Sequence, residues 1–285
     1  MIDPQKYGSA RDFRQALDAK MKTIASSKGV SIEDLHRQVV FNRFLARLDF
    51  TKFVLTGGYS LELRLPLSRS TTDLDLYARD ATLITGTQHE QNEAILLALR
   101  EQMANDLHDY FSFEVERVLG RLHGPKEGGV RCLIMALLNN KQYYKFHVDV
   151  AICPVEILEP ETINTQDALA FSEGPPVPIL ALQKEELFAN KIHAYTRPRQ
   201  TENTRVEDLV DMALLIPSGL DRQKTLSAIR QVFADSKDHQ EIPKELSPPP
   251  VSWLKDFDLI AKRRSLPLTM SAAFETVSRF YREFF

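Results

Sequence analysis

Lys52–Tyr77 reads KFVLTGGYSLELRLPLSRSTTDLDLY, and the fold turns on this stretch. Phe53, Val54 and Leu55 form a short apolar run, long enough for a buried strand. Gly57 and Gly58 allow a sharp turn that a side chain would obstruct. Tyr59 to Leu65 reads as a short helix stopped by Pro66. Asp73, Leu74, Asp75 and Leu76 alternate polar and apolar, as a half-buried strand does. On a strand Asp73 and Asp75 point to the same face.

Carboxylates side by side repel each other, and a cation is the usual partner that offsets this. A glycine turn that opens a helix gathers free backbone N–H groups and suits an anion. The stretch therefore offers a phosphate seat at Gly57 and Gly58 and a divalent-cation seat at Asp73 and Asp75. Metal-assisted nucleotidyl or phosphoryl transfer needs that pair. Taken alone each signal is weak, since glycine pairs are common and D-x-D is more often a solvated strand edge. The spacing makes the combination specific.

With 285 residues, 43% hydrophobic and 26% charged, the chain suits one large or two modest globular domains. A net charge of −3 means that any RNA contact needs a local basic patch. Cys132 and Cys153 have no metal-ligand spacing and read as reduced core thiols. There is no apolar run of membrane-spanning length, and MIDPQKYG lacks a signal-peptide core, so the chain is expected to be cytoplasmic. Walker A, H-E-x-x-H and G-x-S-x-G patterns are absent, which weakens P-loop, zincin and hydrolase readings.

Before the glycine turn, residues 9–48 read as helices capped by Ser9 and Ser31, with Arg43 and Arg47 on a solvated face. After it, Gln88 to Leu107 reads as a helix, followed by strands over Phe111–Val118, Gly129–Leu138 and Tyr143–Ile152. A loop, GPKEGG at 124–129, joins the first two strands. Asp149 stands mid-strand in an apolar context, where an unpaired carboxylate is costly. It is either a third site carboxylate or a salt-bridged edge residue, and His147 is a packed or exposed histidine. The proline-rich run at 174–178 marks a domain boundary, dividing 1–174 from a mostly helical 175–285. There Gln183–Tyr195 puts Lys191 on the apolar stripe of Leu187 and Phe188, and Arg205–Ile216 puts Asp208 and Asp211 on one face. Residues 236–250 read as an exposed loop, and the aromatic tail helix reads as core packing.

The glycine pair, short helix and R-x-T-x-D-x-D pattern resembles the nucleotidyltransferase fold of the DNA polymerase beta superfamily. More closely, FVLTGGYSLELRL with RSTTDLDL resembles the AbiEii/AbiGii toxins of abortive-infection and toxin–antitoxin systems. Lys191, the basic loop RPRQTENTR and the Asp208-x-x-Asp211 helix are a second point of resemblance.

The resemblance implies an α/β fold: a polymerase-beta-like core with a small mixed sheet, then a helical C-terminal domain, with the site between them. It implies that Asp73, Asp75 and Asp149 hold one or two Mg²⁺ ions and that Gly57, Gly58 and Ser60 cradle the triphosphate of an NTP. Arg69 and Thr71 would frame the nucleotide, Lys191 would neutralise phosphate charge, and Asp208 or Asp211 would orient it. Thr56 stands where the family often has lysine, with Arg64 or Arg69 as substitutes. The implied acceptor is RNA, the 3′ end of a tRNA, contacted by Arg197, Arg199, Arg205, Lys262, Arg263 and Arg264. An antitoxin is the implied partner. The rival readings are transfer to a protein or small molecule, and a nucleotide-binding protein without turnover.

Overall fold

Helices capped by the expected serines lead the chain in. In the computed structural model, which describes residues 6–65, 68, 70–118, 129–152, 159–165, 177–263 and 265–285, α1 (Ala10–Lys28) begins at Ser9. Its hydroxyl accepts from the Asp12 N–H, and Ser31 does the same for the Asp34 N–H at the start of α2 (Ile32–Leu45). The next elements are β1 (Phe53–Thr56), α3 (Gly57–Arg64), β2 (Asp73–Ala78), α4 (Ala81–Ile84) and α5 (Gln88–Met103). β3 (Phe111–Val118), β4 (Gly129–Leu138) and β5 (Lys141–Ile152) form a meander. β6 (Glu161–Asn164) and β7 (Pro178–Ala181) form a short antiparallel pair, and five helices follow. They are α6 (Lys184–Thr196), α7 (Val206–Leu215), α8 (Arg222–Ala234), α9 (Leu254–Arg263) and α10 (Met270–Arg282). No described helix is long and apolar enough to cross a membrane.

The strands form one mixed sheet in the order β3-β4-β5-β2-β1-β7-β6. Strand alternation divides its faces. Phe53 and Leu55 join a cluster with α1, α2 and α5, while Val54 joins a second cluster with α6 to α10. Likewise Leu74, Leu76 and Ala78 face the first cluster and Tyr77 the second. Asp73 and Asp75 share the face of Tyr77, so the C-terminal helices stand over the side of the sheet that carries the acids.

β2 lies between β1 and β5, so the bland alternative of a solvated sheet edge does not hold for the D-x-D. Other expectations need correcting. Arg47 is buried, not solvated: its guanidinium donates to Asp109 Oδ2 and Oδ1 (3.0 and 2.6 Å) and to the carbonyls of Arg43, Asn105 and Phe111. Arg43 Nη1 lies 3.7 Å from the same carboxylate. The two residues tie α2 to the turn before β3. β7 was not foreseen. It lies beyond the expected boundary yet runs parallel to β1, so the sheet extends to Ala181 before the helices begin. Gly174–Pro176, loop residues 124–128 and Cys153 lie outside the described residues. Cys132 is buried in the core as expected.

The C-terminal layer holds a histidine that makes it acid-sensitive. His193 on α6 is fully buried, and its Nε2 donates to the His239 carbonyl at 3.2 Å. Among the described residues Nδ1 has no hydrogen-bond partner, so a second proton would leave a poorly paired buried cation. Burial, then the neighbouring His239 ring, lower its pKa from 6.5 to about 4. The unfolded chain thus binds the proton first as pH falls. Stability from this group is complete above pH 6.5 and is lost as pH drops toward 4. His193→Phe should flatten that part of the stability profile, a difference on the order of 2 kcal/mol between pH 7 and pH 4.5. Melting curves of both proteins across this range check it, and parallel profiles would refute it.

Candidate active site

Four walls meet at a cleft of about 1160 Å³ between the sheet and the C-terminal helices. β1 and α3 bring Thr56, Gly57 and Gly58, while β2 and β5 bring Asp73, Asp75 and Asp149. α6, α7 and the loop joining them bring Lys191, Arg199, Arg205 and Asp208, and the start of α2 brings Glu33, Asp34 and Arg37.

The strand register assembles the carboxylates. β2 and β5 run parallel with Asp75 opposite Asp149 and Asp73 opposite His147, so all three acids share one face. Asn139 and Asn140, both with positive φ, make the tight turn from β4 to β5, and an irregularity at Ala136/Leu137 adjusts the register. That register sets Arg131 opposite Asp149. Arg131 Nη2 donates to Asp73 Oδ2 at 3.3 Å, and its Nε lies 3.3 Å from Asp149 Oδ1. Burial raises the Asp149 pKa, partly countered by Arg131. His147 Nδ1 is 3.7 Å from Asp73.

Gly57 packs closely against Asp75. Its φ is +66°, and a Cβ there would lie 1.9 Å from Asp75 Oδ2 and 2.5 Å from Asp75 Cγ. Gly57→Ala should therefore push Asp75 out of place and lower any activity that uses it by roughly 10²-fold. Steady-state rates on the folded variant check this, and a rate within a factor of three of the wild type would refute it.

On the opposite wall Lys191 is 8% exposed, with Nζ 3.1 Å from Asp208 Oδ1 and 2.7 Å from Asp211 Oδ2. Asp208 Oδ2 also lies 3.7 Å from Arg205 Nη1. Asp208 lines the cleft, while Asp211 sits behind it, 1% exposed. Arg199 and Arg263 also line the cleft. Arg197 instead bonds Asp238, and Lys262 projects from the exposed side of α9. Arg69 and Arg264 lie outside the described residues.

Two expected phosphate contacts are turned elsewhere. Ser60 is fully buried with its hydroxyl accepting from Arg64, because the fourth position of α3 faces inward. Arg64 Nη2 also donates to Glu161 and to the Leu182 carbonyl (2.8 and 2.7 Å), which ties α3 to β6 and to the end of β7. Thr71 lines the cleft. Its hydroxyl donates to the Asp73 carbonyl, and its N–H is 3.4 Å from Glu62.

Arg37, Glu62 and Arg131 escaped the sequence reading. Arg37 and Glu62 form a buried bidentate pair (2.9 and 2.7 Å) beneath the loop that carries Thr71. Nothing local marks their pairing. Arg131 is the lone charge in the strand GVRCLIMALL, and that signal was available.

Asp73, Asp75 and Asp149 offer hard oxygen donors of the kind Mg²⁺ takes. Among the described residues no three acidic, histidine or cysteine side chains converge as a ready-made metal cage. Asp73 and Asp149 face Arg131. The donor chemistry and the shared face fit a divalent ion.

The glycine turn that opens α3 thus stands beside carboxylates on adjacent central strands. The profile of the family described as "Nucleotidyl transferase AbiEii toxin, Type IV TA system" matches residues 40–276, and the chain belongs to that family. It is a nucleotidyltransferase of the type IV toxin–antitoxin class. Among solved structures it is similar to MenT4, a nucleotidyltransferase toxin from Mycobacterium tuberculosis H37Rv, with 18% identity and a TM-score of 0.61. That match covers 92% of this chain and 88% of MenT4 and shows a shared fold. JHP933 from Helicobacter pylori also matches, at 12% identity and a TM-score of 0.48, over 90% of this chain and 93% of its own. No curated protein matches the chain in sequence.

Proposed function

We propose that this toxin transfers a nucleotide from an NTP to an RNA, the 3′ acceptor end of a tRNA, in a Mg²⁺-dependent reaction that blocks translation. The observation that carries the reading is the parallel β2–β5 register, which sets Asp149 beside Asp75 on the face of the cleft. The reaction joins the acceptor hydroxyl oxygen to the α-phosphorus and releases pyrophosphate and a proton. Asp73, Asp75 and Asp149 would hold the metal, and when bound it supplies Lewis-acid polarisation of the α-phosphate and a more acidic acceptor hydroxyl.

The chain's own groups do the rest. Gly57 and Gly58 open α3 toward the cleft and present backbone N–H groups to the phosphates. Thr71, held by Glu62, fixes the approach to β2. Lys191 faces the phosphates from the helical wall, with Asp211 orienting it from behind and Asp208 linking it to Arg205. Arg199, Arg205 and Arg263 line the cleft and suit a polyanionic acceptor, although the whole chain carries −3. A cognate antitoxin is the partner that the family implies.

The test is incubation of the full chain with α-labelled NTPs, Mg²⁺ and total RNA or total protein. Label entering tRNA, and lost when the 3′ end is blocked by periodate oxidation, is the expected result. Label in protein overturns the acceptor. Label in neither overturns the catalysis.

A further inference from the structure

We infer that Arg131 is a resident counter-cation of the carboxylate site, exchanged for the divalent ion on loading, and that it thereby sets the metal affinity of the site. The inference rests on the proposed metal role of Asp73 and Asp149. Two registers carry it. Arg131 pairs with Asp149 across β4 and β5, and Asp149 pairs with Asp75 across β5 and β2, so the three form one row across three strands. From the end of that row the guanidinium reaches Asp149 and Asp73, which belong to different strands, at 3.3 Å each. It delivers positive charge to the oxygens that a metal would take.

The contact is also built to be released. Arg131 Nε and Asp149 Oδ1 are shut off from solvent, yet among the described residues neither makes a hydrogen bond. Their attraction is Coulombic without the directional part that a fork-to-fork pair has. The Arg37–Glu62 pair, with bonds of 2.9 and 2.7 Å, shows the closed geometry that Arg131 lacks. The Arg131 side chain is 38% exposed, which leaves it room to swing outward. A divalent ion on Asp73 and Asp149 would lie a few ångströms from the guanidinium, and like charges at that range repel strongly. Loading therefore displaces Arg131.

The experiment measures Mn²⁺ binding to the full chain without nucleotide, by electron paramagnetic resonance, for the wild type, Arg131→Met and Arg131→Lys. Arg131→Met should bind Mn²⁺ about tenfold more tightly, because the competing charge is gone. In chelator it should melt below the wild type, since Asp73 and Asp149 lose their counter-charge. Added Mn²⁺ should raise its melting temperature more than that of the wild type, a response that a purely structural arginine would not produce. Arg131→Lys should fall between the two, and it keeps the test open should the methionine variant fail to fold. Unchanged or weaker Mn²⁺ affinity in a folded variant overturns the inference. Asp75→Asn separates the two readings. If it leaves wild-type Mn²⁺ binding intact, the metal site itself fails and takes the inference with it. If it abolishes binding while Arg131→Met changes nothing, only the role of Arg131 fails.

Discussion

Asp73→Asn and Asp75→Asn should each lower nucleotidyl transfer by at least ~10³-fold, on the order of 4 kcal/mol of transition-state stabilisation, with the fold intact. Asparagine keeps the shape of each side chain and removes its charge. The sheet tolerates this for separate reasons at the two positions. Asp75 stands opposite another carboxylate, Asp149, so neutralising it relieves repulsion. The Asp73 backbone pairs β2 with β5 and its carbonyl accepts from the Thr71 hydroxyl, and neither contact uses the carboxylate. Arg131, which hydrogen-bonds its carboxylate, is partly exposed and can turn to water. Initial rates with labelled NTP, alongside circular dichroism and melting temperature, check the expectation. Turnover within tenfold of the wild type in either variant would sink the carboxylate site.

Lys191→Met should cost about 3–5 kcal/mol of stability, and it should also remove most activity. Sequence alone favours a much smaller stability change, below ~1 kcal/mol, as for a surface residue that merely reaches the cleft. The structure reverses this. Lys191 lies between Asp208 and Asp211, and all three are buried. Without the ammonium, two acids face each other away from water, with Arg205 3.7 Å from Asp208. The melting temperature should fall by roughly 10 °C. A second substitution tells structure from chemistry. Adding Asp211→Asn to Lys191→Met removes the stranded charge and should restore much of the stability. Activity should stay low, because no cation then faces the phosphates. Lys191→Arg should recover only part of the rate, since a planar guanidinium does not replace a compact ammonium between two carboxylates. If the double variant regains full turnover, Lys191 is a strut and not part of the chemistry.

Much of the fold was legible because its signals are local. Ser9 and Ser31 cap helices through their own hydroxyls, and Gly57 adopts a backbone that other residues resist. β3 and the later part of β5 show as alternation within each strand, and β4 as a strongly apolar run. The D-x-D face, the lysine stripe of α6 and the acids of α7 follow from periods of two and 3.6 residues and need no tertiary information. Charge type was legible too: carboxylates beside a glycine turn point to cations and phosphates whatever surrounds them.

Other features had no local signal. Asp149 joins Asp75 only through a parallel pairing of strands far apart in sequence, and the turn at Asn139–Asn140 helps set which residue of β5 arrives there. The same non-local register put Arg131 on the acids and returned β7 to β1. Whether a charged side chain meets water, a partner or a ligand depends on what packs over it. Arg47 turned inward to Asp109, and Arg64 and Ser60 turned to each other. The sequence by itself determined the strand–turn–helix unit, the acids and the basic residues available for chemistry, because backbone propensity and side-chain period act over a few residues. Only the tertiary structure decided which of them meet, because pairing register and burial are set by distant segments closing on one another.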